Sequence, residues 1–76
     1  MERLPTMDEF LSFVAKIMKV DPSQLSGETA YGSIPQWDSL MHLRLLGEIE
    51  DEYDVEIPID EVPDIKTLAD FFAYVA

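Results

Sequence analysis

The run Asp38-Ser39-Leu40-Met41-His42-Leu43-Arg44-Leu45-Leu46-Gly47-Glu48-Ile49-Glu50-Asp51-Glu52-Tyr53 decides the fold. Asp38 is a strong N-cap residue, because its carboxylate can accept a hydrogen bond from a free N–H of the first turn. No proline follows it in this run, and the spacing predicts a helix over residues 39–53. At 3.6 residues per turn, Leu43, Leu46, Ile49 and Tyr53 share one side, which is expected to face a core. Met41, Arg44, Glu48, Asp51 and Glu52 share the opposite side. Leu40 falls beside Arg44 and Asp51, off the apolar stripe, and is expected to be partly exposed. His42 falls near the buried side, as a packing or edge residue. Gly47 in mid-helix costs about 1 kcal/mol against alanine, and fits either a close helix approach or a bend.

Working outward, residues 7–19 form a first predicted helix. Thr6 and Glu9 have the spacing of a capping box, with Pro5 just ahead. Phe10, Val14 and Ile17, with Leu11 and Met18, make its stripe, and Asp21-Pro22 ends it. Residues 20–37 are a long connection holding Pro22, Gly27, Gly32 and Pro35, with a short helical turn near residues 23–25. Such a loop in a compact domain is functional or packed on itself, and Val20, Leu25, Tyr31 and Ile34 are the residues that would pin it. Beyond the second helix, Pro58 and Pro63 leave room for a short helical turn at residues 60–62. Thr67 and Asp70 then form a second capping box for a last helix over residues 68–75, with Leu68, Phe71, Phe72 and Val75 as its stripe. No strand pattern finds a partner. The expected fold is all-α: a small bundle of three main helices plus one short helix, with a long loop after the first.

Bulk properties narrow the function. The 76 residues make one domain, expected to span 1–76, and such a chain buries only about 60 % of its unfolded surface. The absence of cysteine excludes a disulfide framework, a thiolate metal site and a cysteine nucleophile. No leader pattern or membrane-length apolar run is visible, so a cytoplasmic, free-standing protein is expected. Sixteen acidic residues against five basic ones give a net charge of -11. That surface repels nucleic acid and anionic lipid, and it attracts proteins with basic docking patches.

The chemistry candidate is Asp38-Ser39-Leu40, where the long loop meets the second helix. A serine in the first turn is exposed, and the free backbone N–H groups and the helix dipole make that spot positive. A phosphodiester built on its hydroxyl would sit in a ready anion site. Asp38 would cap the helix, and its carboxylate could hold a divalent metal while an incoming enzyme transfers a phosphoryl group. His42 lies one turn from Ser39, but a general base needs a partner and a cleft, so packing is its expected role. Trp37 would cover the core at the loop exit or contact a partner. No resident metal site and no catalytic group are expected.

Asp38-Ser39-Leu40, the acidic amphipathic helix after it, and the run Glu50-Asp51-Glu52-Tyr53-Asp54-Val55-Glu56-Ile57-Pro58 resemble the acyl carrier protein and peptidyl carrier family. The resemblance covers nearly the whole chain. It implies that Ser39 receives 4'-phosphopantetheine from coenzyme A through a magnesium-dependent phosphopantetheinyl transferase. Asp38 and Leu40 would flank the arm, whose thiol would carry an acyl or aminoacyl group as a thioester. The second helix would be the recognition surface, with Trp37, Leu40, Met41, Arg44, Glu48, Asp51 and Glu52 as partner contacts. Partners would include acyl or aminoacyl ligases, ketosynthases and acyltransferase-type enzymes, acting on a non-catalytic monomer.

The chain also departs from the fatty-acid pattern. Met41 and Arg44 stand where carriers of fatty-acid synthesis usually place acids, and Gln36-Trp37 replaces small residues before the aspartate. A basic docking patch would meet Arg44 with like charge. A carrier in polyketide, nonribosomal peptide or cell-envelope biosynthesis is therefore expected. The alternative is an acidic helical interaction module without a prosthetic group.

Overall fold

The computed structural model describes residues 5–76. Helix α1 spans Met7–Met18, α2 spans Ser39–Tyr53 and α3 spans Leu68–Phe72. Two 3₁₀ segments, Pro22–Gln24 and Ile59–Asp64, lie in the connections, and no named strand occurs among the described residues. The all-α bundle expected from the sequence is the one observed.

Each end has a local cause. Thr6 caps α1 through a complete box with Glu9, and Lys19 closes it in the left-handed region at φ 60°. Asp38 caps α2, accepting from the Met41 N–H at 2.9 Å, and Asp54 closes that helix at φ 53°. The Glu50 carboxylate then accepts from the Ile57 N–H at 2.8 Å, tying the exit strand of chain back to the helix. Thr67 and Asp70 complete the box of α3. This helix is shorter than predicted: after Phe72 the chain tightens into turns, with Tyr74 N–H donating to Phe71 and Val75 N–H to Phe72. The 3₁₀ segment Ile59–Asp64 is longer than the turn predicted at residues 60–62. Its bonds run from Glu61 N–H to Pro58 and from Ile65 N–H to Val62, so none needs the missing N–H of Pro63.

The long connection is packed down by backbone bonds that periodicity cannot show. Tyr31 N–H donates to Lys66 at 2.7 Å, Leu68 N–H to Thr29 at 3.1 Å and Ala69 N–H to Gly27 at 2.8 Å. An isolated bridge thus joins Ala30 to Thr67 and holds the loop against the start of α3. Of the four apolar residues expected to pin the loop, Leu25 is buried, Val20 and Ile34 are half-buried, and Tyr31 remains exposed along one edge.

The core gathers Phe10, Val14, Leu45, Ile49, Leu68 and Phe71 around a fully buried Trp37. Here the sequence expectation for α2 is corrected. Its buried residues are His42, Leu45 and Ile49, with Leu46 and Tyr53 at the edge, whereas Leu43 is 58 % exposed. Leu43 stands about 100° around the helix from His42, so including it turned the expected stripe away from the true one. The register is set by His42, which finds a polar partner inside. Gly47 is exposed, and a Cβ built there meets nothing within 4 Å, so neither close packing nor a neighbouring helix requires it.

Leu45→Ala is expected to cost about 2–5 kcal/mol in urea unfolding, as for other buried leucines. Leu43→Ala should stay within about 0.5 kcal/mol of the parent. Equal losses from the two substitutions would show that the helix face is assigned wrongly. By the same measurement Gly47→Ala should stabilise the chain by about 0.5–1 kcal/mol, since the added methyl group has open space around it.

Candidate functional site

The loop ends in a tight structure that fixes where α2 begins. Gly32 adopts φ +80°, a conformation costly for other residues. Its N–H donates to the Trp37 carbonyl at 3.1 Å, and the Trp37 N–H donates to Ile34 at 3.1 Å. This closed turn drives the Trp37 side chain inward. The indole Nε1–H donates to His42 Nδ1 at 3.1 Å inside the core. The two rings stack with centroids 5.9 Å apart, Phe71 lies 5.3 Å from His42, and Tyr31 meets His42 edge-on at 4.8 Å. Trp37 is fully buried and cannot touch a partner, so of the two roles expected for it only the core role stands.

Because Nδ1 of His42 accepts from Trp37, the neutral ring carries its proton on Nε2. Burial lowers its pKa from the ordinary 6.5, while the Val62 backbone carbonyl pulls it back part of the way. A ring held in this way is not a base for Ser39. The serine–histidine pair one turn apart does not form a hydrogen bond among the described residues.

Between these two anchored residues stand Asp38 and Ser39, both exposed. Asp38 spends one carboxylate oxygen on the Met41 N–H. No hydrogen bond among the described residues holds the Ser39 hydroxyl, and the N–H groups of Ser39 and Leu40 have no protein acceptor there. The result is a free hydroxyl beside unpaired donors, at the positive end of a helix 15 residues long. Leu40, expected to be partly exposed, is 77 % exposed. Arg44, Asp51 and Glu52 are exposed, and Met41 and Glu48 are half-buried.

Two depressions flank this point. One, of about 480 Å³, is lined by Tyr31, His42, Val62, Pro63, Ile65 and Lys66, with Ala30 at its edge. The other, of about 300 Å³, brings Leu40, Met41 and Arg44 together with Met18, Pro35, Gln36 and Asp38. Pro35 and Met18 carried no sequence signal for the site, and Gln36 stands out in the sequence only as a departure before Asp38. They arrive there because the turn at residues 31–37 folds back beside the end of α1. No cluster of three or more potential metal-ligating side chains and no membrane-spanning helix occurs among the described residues.

Residues 8–75 match the phosphopantetheine attachment site family, and the chain belongs to that family. It is 28 % identical to the acyl carrier protein of Thermosynechococcus vestitus over 75 residues, covering 99 % of this chain and 93 % of that one. It is likewise 28 % identical to the acyl carrier protein of Helicobacter hepaticus, covering 95 % of each. Identity to the meromycolate extension acyl carrier protein of Mycobacterium tuberculosis is 27 %, over 92 % of this chain and 64 % of that protein's length. The chain thus spans just under two thirds of the mycobacterial relative. The family's cofactor is 4'-phosphopantetheine, whose thiol supplies thioester chemistry when it is bound. The Ser39 region fits such a group: it offers one unengaged hydroxyl and adjacent free N–H donors to a phosphodiester.

Neutral His42 makes stability depend on pH. Its folded pKa lies below its unfolded value near 6.5, so the unfolded chain binds the proton first. The stabilisation is fully present above that value and is lost as pH falls through the window beneath it. Urea unfolding should show a lower midpoint at about pH 5 than at about pH 7.5, and the ring's NMR titration should centre below 6.5. Asp21 and Asp70, held below 3.8 by backbone N–H donors, add a separate loss only in stronger acid. A ring that titrates at or above 6.5 would contradict the buried neutral form.

Proposed function

We propose that the chain is a single-domain carrier and that Ser39 is the residue that takes the phosphopantetheine arm. The observation that carries this reading is the free, exposed Ser39 hydroxyl at the N-terminus of α2, in a chain of the phosphopantetheine attachment family. Loading forms a bond from the Ser39 oxygen to phosphorus and breaks the pyrophosphate bond of coenzyme A. The adenosine bisphosphate leaves, and the hydroxyl proton passes to the transferase. Acyl or aminoacyl groups would then be carried as thioesters between successive partner enzymes, in the cytoplasm.

The same reading places the chain in specialised rather than housekeeping biosynthesis. Support comes from Met41 and Arg44, which leave the start of α2 without the acids that a basic docking face needs. The similarity to meromycolate extension carriers is compatible with this, although that protein is longer.

Incubated with coenzyme A, magnesium and a broad-specificity phosphopantetheinyl transferase, the protein should gain the mass of one phosphopantetheine. Ser39→Ala should gain none, while its stability stays within about 0.5 kcal/mol, because the hydroxyl is exposed and unengaged. Asp38→Ala should cost about 1 kcal/mol through loss of the helix cap. Full loading of the Ser39→Ala variant would move the attachment point elsewhere.

A further inference from the structure

The aromatic rings of the domain fall into two groups. Phe10, Phe13, Tyr53 and Phe72 join α1 to the last turn of α2 and to α3, with centroids 5.3 to 6.1 Å apart. Tyr31, Trp37, His42 and Phe71 join the long loop to the first turns of α2, with centroids 4.8 to 6.3 Å apart. The first group keeps its charge state through the neutral range, because burial pushes the Tyr53 phenol above 10. The second is built around an imidazole. What holds that ring is specific to its neutral form: Nδ1 accepts from the Trp37 indole N–H at 3.1 Å, and an indole nitrogen only donates. A proton on Nδ1 sets two donors against each other between buried side chains. The groups around the ring offer that charge little. The loop presents the Tyr31 ring edge and the indole, and α3 presents Phe71. From the 3₁₀ segment only the Val62 carbonyl favours the charged form; Asp60, Glu61 and Asp64 are exposed, and none bonds to the ring among the described residues. Lys66, which lines the same cavity, is itself a cation, and Asp38 on α2 holds its carboxylate on the Met41 N–H.

We infer that the Trp37–His42 pair is a proton-operated latch on the loop end of the domain: a proton on Nδ1 parts the two rings and releases the turn at residues 31–37 from the start of α2, while α1 stays packed on the last turns of α2. The cavity of about 480 Å³ beside His42 gives the charged ring a way to water. The opening is local because the rest of the molecule keeps its ties in the same pH range. The buried residues of α1 are Phe10, Val14, Ala15, Ile17 and Met18, and none of them titrates. The Asp70 carboxylate, held below 3.8 by the backbone N–H groups of Lys66 and Thr67, keeps α3 capped. Proton uptake also moves the net charge of -11 toward zero, which relieves the self-repulsion of the compact state. Acid thus removes one tie at one end of the core and loosens none at the other.

Trp37 is the only tryptophan, so its quenching by acrylamide reports the latch alone. Quenching and native-state amide exchange are followed together from about pH 7.5 to about pH 5, a range in which histidine changes charge. Quenching should rise several-fold with a midpoint below 6.5. The amides of Val14 and Ile17, corrected for the intrinsic pH dependence of exchange, should keep their protection. His42→Gln supplies an amide oxygen that can accept from the indole and does not titrate, so Trp37 should stay shielded throughout. Trp37→Phe removes the opposing donor, and the His42 ring should then titrate closer to 6.5 by NMR than it does in the parent, a readout that stands even where the Gln variant does not fold. Loss of Val14 and Ile17 protection in step with the quenching would show global unfolding and overturn the latch. It would equally fall if Trp37 stayed shielded once NMR showed the parent ring protonated, if a folded His42→Gln variant quenched as the parent does, or if Trp37→Phe left the His42 titration unmoved.

Discussion

The hydrogen bond from the Trp37 indole to His42 Nδ1 is the constraint on which the rest of the structure depends. Each group is buried, and each would be costly if left unpaired. Paired with one another, they satisfy both demands; their rings stack, and the indole stacks in turn on Phe71. The two residues lie on either side of the start of α2, one before its cap and one at the end of its first turn. Joining them fixes the direction in which the loop enters the helix. Asp38, Ser39 and Leu40 are the residues between them that the chain leaves outside. The exposure of the serine is therefore a consequence of what its neighbours bury.

That lock does not act alone. The loop before Trp37 is held by backbone bonds to the start of α3, and α3 itself is only 5 residues long. A helix so short has little stability of its own. Loop and helix thus depend on each other: the Ala30–Thr67 bridge supplies the loop with partners, and the loop covers one end of α3. Tyr74 extends the tie by donating its hydroxyl to Glu61 of the 3₁₀ segment, a bond that raises the phenol pKa to about 12. The loop that leads into α2 is thus tied to the C-terminal part of the chain.

Much of this was legible in the residues. Both capping boxes and the Asp38 cap were readable, because capping is local chemistry at fixed spacing. The stripe of α1 was readable because its members are all apolar. The stripe of α2 was legible only in part: phase puts His42 and Ile49 on the buried side, but it counts Leu43 in the stripe and leaves Leu45 out. Whether His42 faces in or out depends on whether a donor waits inside, and that donor is an indole brought there by a turn around Gly32. Leu43, a better hydrophobe, is left in solvent as a result. The Ala30–Thr67 bridge was equally hidden, since backbone pairing between two irregular segments leaves no periodic trace. At the site, Ser39 and Leu40 could be placed from helix phase alone. Pro35 and Met18 could not, because they reach the groove through the fold of the loop and the end of α1.

The exposed side of α2 accordingly answers to different demands from the buried one. His42, Leu45 and Ile49 are held by packing, and change there costs folding. Leu40, Leu43 and Arg44 are exposed, and no hydrogen bond or ion pair among the described residues holds the Arg44 guanidinium. A position that contributes little to folding can vary in sequence at low thermodynamic cost. One face of the helix can thus change while the other keeps the domain intact. The Ser39 hydroxyl belongs to that outer face, exposed and with no hydrogen bond among the described residues, so nothing in the packing of the domain restrains it.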